Sequence, residues 1–177
     1  MIKVGVIGTH GTGKTVICHE LVSELGKLSI PVDYVGETAR EVPNGLVINE
    51  GTTRETQEWI LHTQIAKELA AKREAVVICD RATIDNYAYL QRQSGGNLIY
   101  DAMIRHHLPS YSLLLKVPIK PEYLTADGVR SINRFFQAEI DSILEKTLTE
   151  WNVPFTHYTT KEDAIDRIMN LLEEQKK

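Results

Sequence analysis

Gly8, Gly11, Gly13, Lys14 and Thr15 stand in the stretch GTHGTGKT (8–15), and their types and spacing suit one task, the gripping of a polyphosphate. Glycines let successive backbone N–H groups converge on an anion without Cβ collisions. A helix opening at Lys14 adds the positive end of its dipole. The Lys14 ammonium then reaches the β- and γ-phosphates, and the Thr15 hydroxyl is placed to bind Mg²⁺. The whole run from Gly8 to Val16, with Thr9, His10 and Thr12 between the fixed positions, is the expected nucleotide-binding surface. With glycine near 7% of average usage, a chance match to the four fixed positions is roughly a one-in-a-hundred event. His10 fills a variable position, where local geometry is the simpler role.

A nucleotide bound with Mg²⁺ also needs a carboxylate at the end of a neighbouring strand. The apolar run AVVICD (75–80) ends in Asp80, placed to hold the metal directly or through water. The competing role is a cap on the next helix.

The elements that must carry these groups are legible as alternating patterns. Strands are expected at 2–8, 32–37, 75–80, 111–117 and 154–159. Between them apolar residues recur at helical spacing: Val16, Ile17, Leu21, Leu25 and Leu28; then Trp59, Leu61, Ile65 and Leu69 in a helix over about 53–72. Phe136, Ile140, Ile143, Leu144, Leu148 and Trp151 mark another, and Ala164, Ile165, Ile168, Leu171 and Leu172 the last. Alternation of this kind predicts an α/β domain, doubly wound, in three layers around a parallel sheet, with ligands at the carboxyl ends of the strands.

Composition narrows the classes. The 177 residues are expected to form one domain (1–177), with 42% hydrophobic and 25% charged residues. A net charge of -4 argues against general binding to nucleic acid or to anionic membranes. No apolar run reaches the roughly 18 residues of a membrane span, and MIKVGVIG leads straight into the glycine loop, so a cytoplasmic address is expected. Cys18 and Cys79, both among apolar neighbours, read as reduced buried thiols.

Together, GTHGTGKT, the second strand ending in GETAR, and the third ending in CDRATIDNYAY resemble the nucleoside and nucleotide kinase group of P-loop NTPases. Within that group they are most similar to AAA-type ATPases related to nicotinamide-riboside kinase domains. The resemblance implies a five-stranded sheet in the order 2-3-1-4-5, ATP and Mg²⁺ as cofactors, and a small lid over about 121–134. It assigns Glu37 to the acceptor hydroxyl and Arg81 to an acceptor phosphate or the transferred group, although Glu37 with Arg40, or Arg81 alone, serves equally as a structural ion pair. Asp85 and Tyr89, four apart, are placed to meet a sugar or base or to pack. In DGVRSINR (127–134), Arg130 and Arg134 at i, i+4 would point one way in a helical lid and stabilise charge on the transferred group.

The stretch TKED (160–163) resembles a guanine-reading motif, but as it precedes only a terminal helix its simpler role is a cap at Thr160. Thr160 and Lys161 remain base-side candidates. The chain has no room for the extra helical domain of a ring translocase. Three classes stay open: a kinase of a small-molecule acceptor, an NTPase that regulates a partner, and a nucleotide-binding module without turnover. The acidic and cationic residues on the acceptor side favour the kinase. A homodimer is left open.

Overall fold

Every position of IKVGVI is buried, as expected of a strand covered on both faces, and it forms the central strand β1 (Ile2–Ile7). The computed structural model describes residues 1–71, 74–125 and 131–176. After β1 the order is α1 (Lys14–Lys27), β2 (Val32–Val35), α2 (Arg54–Ala70), β3 (Val76–Asp80), α3 (Thr83–Ser94), α4 (Leu98–His107), β4 (Leu113–Lys116), α5 (Arg134–Glu150), β5 (Thr156–His157) and α6 (Lys161–Glu174). All strand pairings are parallel, in the order β2-β3-β1-β4-β5 anticipated from the motifs.

The side-chain alternation of β1 divides the core. Val4 and Val6 face one way, packed with Ile17, Leu21 and Leu25 of α1 and Ala164 and Ile168 of α6. Ile7 faces the other layer, with Leu61 of α2, Ile84 and Leu90 of α3, Ile104 of α4 and Phe136, Ile140 and Leu144 of α5. Each such side chain removed from water contributes about 1.5–3 kcal/mol. Helical periodicity overreached at three positions: Val16 is 63% exposed, Leu28 53% and Leu69 74%. Val16 opens the helix beside the glycine loop, and Leu28 and Leu69 lie at helix ends, where the sheet no longer covers the buried stripe.

The site depends on where helices begin. α1 starts directly from Gly13, whose left-handed backbone (φ 85°) turns the chain out of the loop. Thr53 caps α2 by accepting the N–H of Thr56, one residue inside the expected start. Asn133 caps α5 by accepting the N–H groups of Phe135 and Phe136, and Thr160 caps α6 through the N–H of Asp163. Among the described residues no helix is long and apolar enough to cross a membrane.

Candidate functional site

Between β1 and α1 the glycine loop curves around the Lys14 ammonium at the carboxyl end of the sheet. A Cβ at Gly8 would stand 2.9 Å from the Val117 carbonyl oxygen, so the loop leaves β1 in a path closed to other residues. Lys14, only 4% exposed, folds back to donate to the Thr9 carbonyl and to Thr12 Oγ1 (3.2 Å). These are bonds a phosphate oxygen can replace. Burial, and secondarily the Arg81 charge, lower the Lys14 pKa to about 8 despite Asp85, Glu37 and Asp80 nearby. Among the described residues no carboxylate forms an ion pair with Lys14, whose bonds are to neutral oxygens.

Thr15 and Asp80 meet as their positions in the motifs require, with Thr15 Oγ1 donating to Asp80 Oδ2 at 2.6 Å. Tyr34 reaches the same oxygen at 3.4 Å, and burial followed by the Asp80 charge raises the phenol above its usual value. Asp80 Oδ1 is buried without a hydrogen-bond partner among the described residues. A hydroxyl and a carboxylate with an unsatisfied oxygen are hard donors of the type Mg²⁺ takes alongside phosphate oxygens, so this pair fits the metal. No cluster of three or more His, Cys, Asp or Glu side chains suited to a metal occurs among the described residues, and Mg²⁺ held mainly by phosphates needs none.

The acceptor side is built on Arg81. It follows β3 with φ 83°, a left-handed conformation that costs a side-chain-bearing residue of order 1–3 kcal/mol and gathers at functional sites. From there Nε donates to Glu37 Oε1 (2.8 Å), Nη1 to the Gly8 carbonyl (3.3 Å), and the guanidinium lies 5.4 Å from the Tyr89 ring. Burial opposes the Arg81 charge, but Tyr89, Glu37 and Asp85 outweigh it and raise the pKa. Glu37 Oε2 accepts from Arg40 Nε at 3.0 Å. The ion pairs foreseen for Glu37 and Arg81 are therefore present, and they converge on one carboxylate.

Beside that carboxylate opens a narrow pocket of about 40 Å³, its polar lining including His10, Glu37, Gln57, Arg81, Asn86 and Tyr89, with Ala39, Ile48 and Ile60 as apolar walls. Asn86 is 3% exposed, and its Nδ2 has no hydrogen-bond partner among the described residues. A roomier cleft opens at the amino end of the sheet, between Arg105, Tyr111, Trp151 and Phe155, and shares no residue with the glycine loop. The small pocket is the better candidate because His10 of the glycine loop and the Arg81–Glu37 pair line it.

His10 sits at the junction of loop and pocket. Its ring lies 5.0 Å from that of Phe136, Nδ1 is 3.0 Å from Tyr89 Oη, and its N–H donates to the same hydroxyl at 3.1 Å. Asp85 does not face the pocket as a sugar contact. Its carboxylate accepts the Gly8 N–H at 2.6 Å and the Ala82 N–H at 2.8 Å, pinning the glycine loop to the start of α3. Burial raises its pKa in spite of Arg81 and Lys14.

Of the two arginines expected in a lid, Arg130 lies outside the described residues; Arg134 is exposed in the first turn of α5, which it opens after a non-helical stretch over 131–133. The nearby contacts to the loop come from Tyr123, Leu124 and Gln137: the Leu124 side chain fills the space beside Gly11, and Gln137 Nε2 donates to the His10 carbonyl at 2.7 Å. Across the pocket mouth, Ser131 reaches Asn49 Oδ1 (N–H, 3.1 Å) and Glu50 (Oγ, 2.5 Å). On the base side, Lys161 is tied to Glu24 at 3.1 Å. That partner lies ten residues, about 15 Å, along α1 from Lys14, so Lys161 points away from the loop.

Sequence reasoning passed over Gln57, Gln64, Asn86 and Gln137, all buried. Their signal was available: Gln57, Gln64 and Glu68, at i, i+7 and i+11, put polar groups on the buried stripe of α2.

The family model of an AAA domain matches residues 3–166. The chain belongs to that family. Its fold is that of the P-loop nucleoside and nucleotide kinase-like NTPases, as two solved structures illustrate. Deoxyadenosine kinase from M. mycoides, with products dCMP and a flexible dCDP bound, superimposes with a TM-score of 0.63 at 18% identity over 98% of this chain and 99% of that one. The same enzyme with bound dCTP gives 0.61 at 16% identity over 98% and 100%. At such identity the likeness establishes the fold. No curated protein matches the sequence.

Proposed function

We propose that the protein is an ATP-dependent, Mg²⁺-requiring kinase that transfers the γ-phosphoryl group to a small metabolite of the nucleoside or nucleotide class. The observation that carries this reading is the pocket itself: a small, mainly apolar concave space that meets the phosphate loop at His10 and is edged by the Glu37–Arg81 pair and by Asn86, whose Nδ2 has no hydrogen-bond partner among the described residues. A protein that only held ATP would have no use for that second pocket. The likeness to a kinase of deoxynucleosides supports the same class of acceptor.

In this reading the glycine loop and Lys14 hold the β- and γ-phosphates, and Thr15 and Asp80 hold the metal. Mg²⁺ held by that pair would supply positive charge against the negative charge that develops during transfer. The acceptor oxygen forms a bond to the γ-phosphorus while the β–γ bridging bond breaks and ADP leaves. Glu37 orients the acceptor hydroxyl and takes its proton late, exchanging one of its two arginine bonds for that contact. Arg81, already within 3.3 Å of the Gly8 carbonyl, stands between donor and acceptor and screens the charge on the transferred group. Asn86 donates to a carbonyl or hydroxyl of the acceptor.

One observation favours a second reading, an ATPase or regulatory nucleotide-binding protein: both Glu37 oxygens are already engaged by arginines. A screen of nucleosides, nucleotides and pyridine ribosides with Mg²⁺ and ATP separates the two, with phosphorylated product and free phosphate measured independently. The kinase reading expects product. Free phosphate with no product from any acceptor would overturn it in favour of the ATPase.

A further inference from the structure

Gln64 lies one layer behind the pocket, on α2, with no exposed surface, and every donor of its amide is used. Its Nε2 donates to Glu68 Oε1 at 2.8 Å and, over a longer 3.4 Å, to the Arg81 carbonyl; its Oε1 accepts the Thr38 hydroxyl at 2.7 Å. The amide therefore touches the residue after Glu37 and the backbone of Arg81 at once. Those are the two ends of the ion pair that edges the acceptor pocket.

The orientation of the amide is not free. Glu68 is buried and surrounded by donors: Lys3 Nζ at 3.3 Å, His107 Nε2 at 2.8 Å, Tyr111 Oη at 2.6 Å and Gln64 itself. Burial alone would raise the Glu68 carboxyl, but the bonds from His107, Tyr111 and Gln64, with the Lys3 charge, hold it below the usual glutamate value. A carboxylate only accepts, so the Gln64 nitrogen must face it and the oxygen must face Thr38. The anchor of this arrangement is a strand of the central sheet, through Lys3 of β1.

The conformation that Gln64 braces is one that needs bracing. Arg81 holds φ 83° with its N–H on the Val6 carbonyl, and its C=O, in the next peptide plane, is met by Gln64, so the planes on both sides of the strained residue are held. Glu37 comes from a segment with no strand partner: β2 stops at Val35, and the next residues form a single 3-10 turn over Thr38–Glu41. Thr38, 1% exposed, is the buried tether of that turn to α2.

We propose, resting on the kinase reading above, that Gln64 is a positioning residue for phosphoryl transfer, holding the Glu37 segment and the Arg81 backbone in one fixed relation through Thr38 on one side and the Arg81 carbonyl on the other. It touches neither nucleotide nor acceptor. Its loss should leave ground-state ATP binding alone and misplace the groups that act on the acceptor.

The test compares Gln64→Leu, Thr38→Val and Thr38→Ser with the wild type by three readouts: the ATP dissociation constant, kcat and KM with whichever acceptor the screen identifies, and the Arg81 Nε–Hε resonance in ¹⁵N-labelled protein. Gln64→Leu is expected to lower kcat about tenfold or more, with ATP affinity within about twofold, and to shift or broaden the Arg81 resonance. Thr38→Val should do the same to a smaller extent, and Thr38→Ser, which restores the hydroxyl, should behave as wild type. An unmoved Arg81 resonance in both Gln64→Leu and Thr38→Val, with kcat falling only as folded protein is lost, would overturn the proposal. If Gln64→Leu does not fold, the valine and serine variants at Thr38 decide alone. If wild-type protein phosphorylates no acceptor, the kinase reading fails separately, and the resonance still decides whether Gln64 sets the Glu37–Arg81 geometry.

Discussion

The two halves of the candidate site are built by different means. The donor side proposed above is mostly backbone, the glycine loop and the start of α1, joined by one short side-chain contact between Thr15 and Asp80 at 2.6 Å. These parts come from adjacent positions or from neighbouring strands whose pairing places Val6 of β1 beside Asp80 of β3. On the acceptor side nearly every contact is made by side chains from distant segments, with Glu37 meeting Arg81 across 44 positions and Gln64 meeting Thr38 across 26. A donor half of this kind suits any nucleotide-using reaction, whereas the acceptor half determines which reaction it is.

Removal of one group from each half is the strongest way to break that division. Lys14→Ala should weaken ATP binding by about a hundredfold or more, since the loop loses a buried cation that donates to its own Thr9 and Thr12 oxygens. Calorimetry that gave unchanged affinity would end the donor assignment. Glu37→Gln is expected to reduce acceptor phosphorylation about a hundredfold, the lower end of what a positioned base supplies, with ATP affinity changed by less than about threefold. Should it weaken ATP binding and spare turnover, Glu37 belongs to the donor half and the comparison collapses. Asn86→Ala tests the pocket more gently. It should raise KM for the acceptor about tenfold and leave kcat close to wild type, because a contact made equally in ground and transition states affects binding alone.

The same division explains how much the sequence disclosed. The strands, the four helices α1, α2, α5 and α6, and the donor residues Gly8 to Thr15 and Asp80 follow from local spacing or from an apolar run, which physics ties to one backbone outcome, whereas the sheet order came only with the family resemblance and α4 was not foreseen. Thr160 as a cap was readable for the same reason: its side chain acts three residues away. Asp85 was misread because its partner, the Gly8 N–H, lies 77 positions away. The Asn133 cap that starts α5 at Arg134 is as local as the one at Thr160, since its side chain accepts from the N–H groups of Phe135 and Phe136. Gln57, Gln64 and Asn86 stand at buried helical positions where an apolar residue is the default, and nothing local says which distant group each will meet.

The smallest expected effect is also the one that isolates the loop from the pocket. Free Lys14, with its pKa lowered to about 8 by burial and then by Arg81, is partly neutral just above physiological pH. Phosphate anions in the loop favour its charged form, so the pKa in the complex must be higher than in the free protein. The sign follows: between those two values binding takes up a proton, and affinity falls as pH rises through the lower one. Uptake should be slight at pH 7 and reach about half a proton at pH 8, read as the dependence of Mg–ATP binding heat on the ionisation heat of the buffer. Glu37→Gln removes one of the lesser anions near Lys14 and should move that midpoint slightly downward, while Asn86→Ala, which changes no charge, should leave it in place. Proton release at pH 8, or an equal displacement by both variants, would mean that the titrating group belongs to the pocket and that the two halves are not separable.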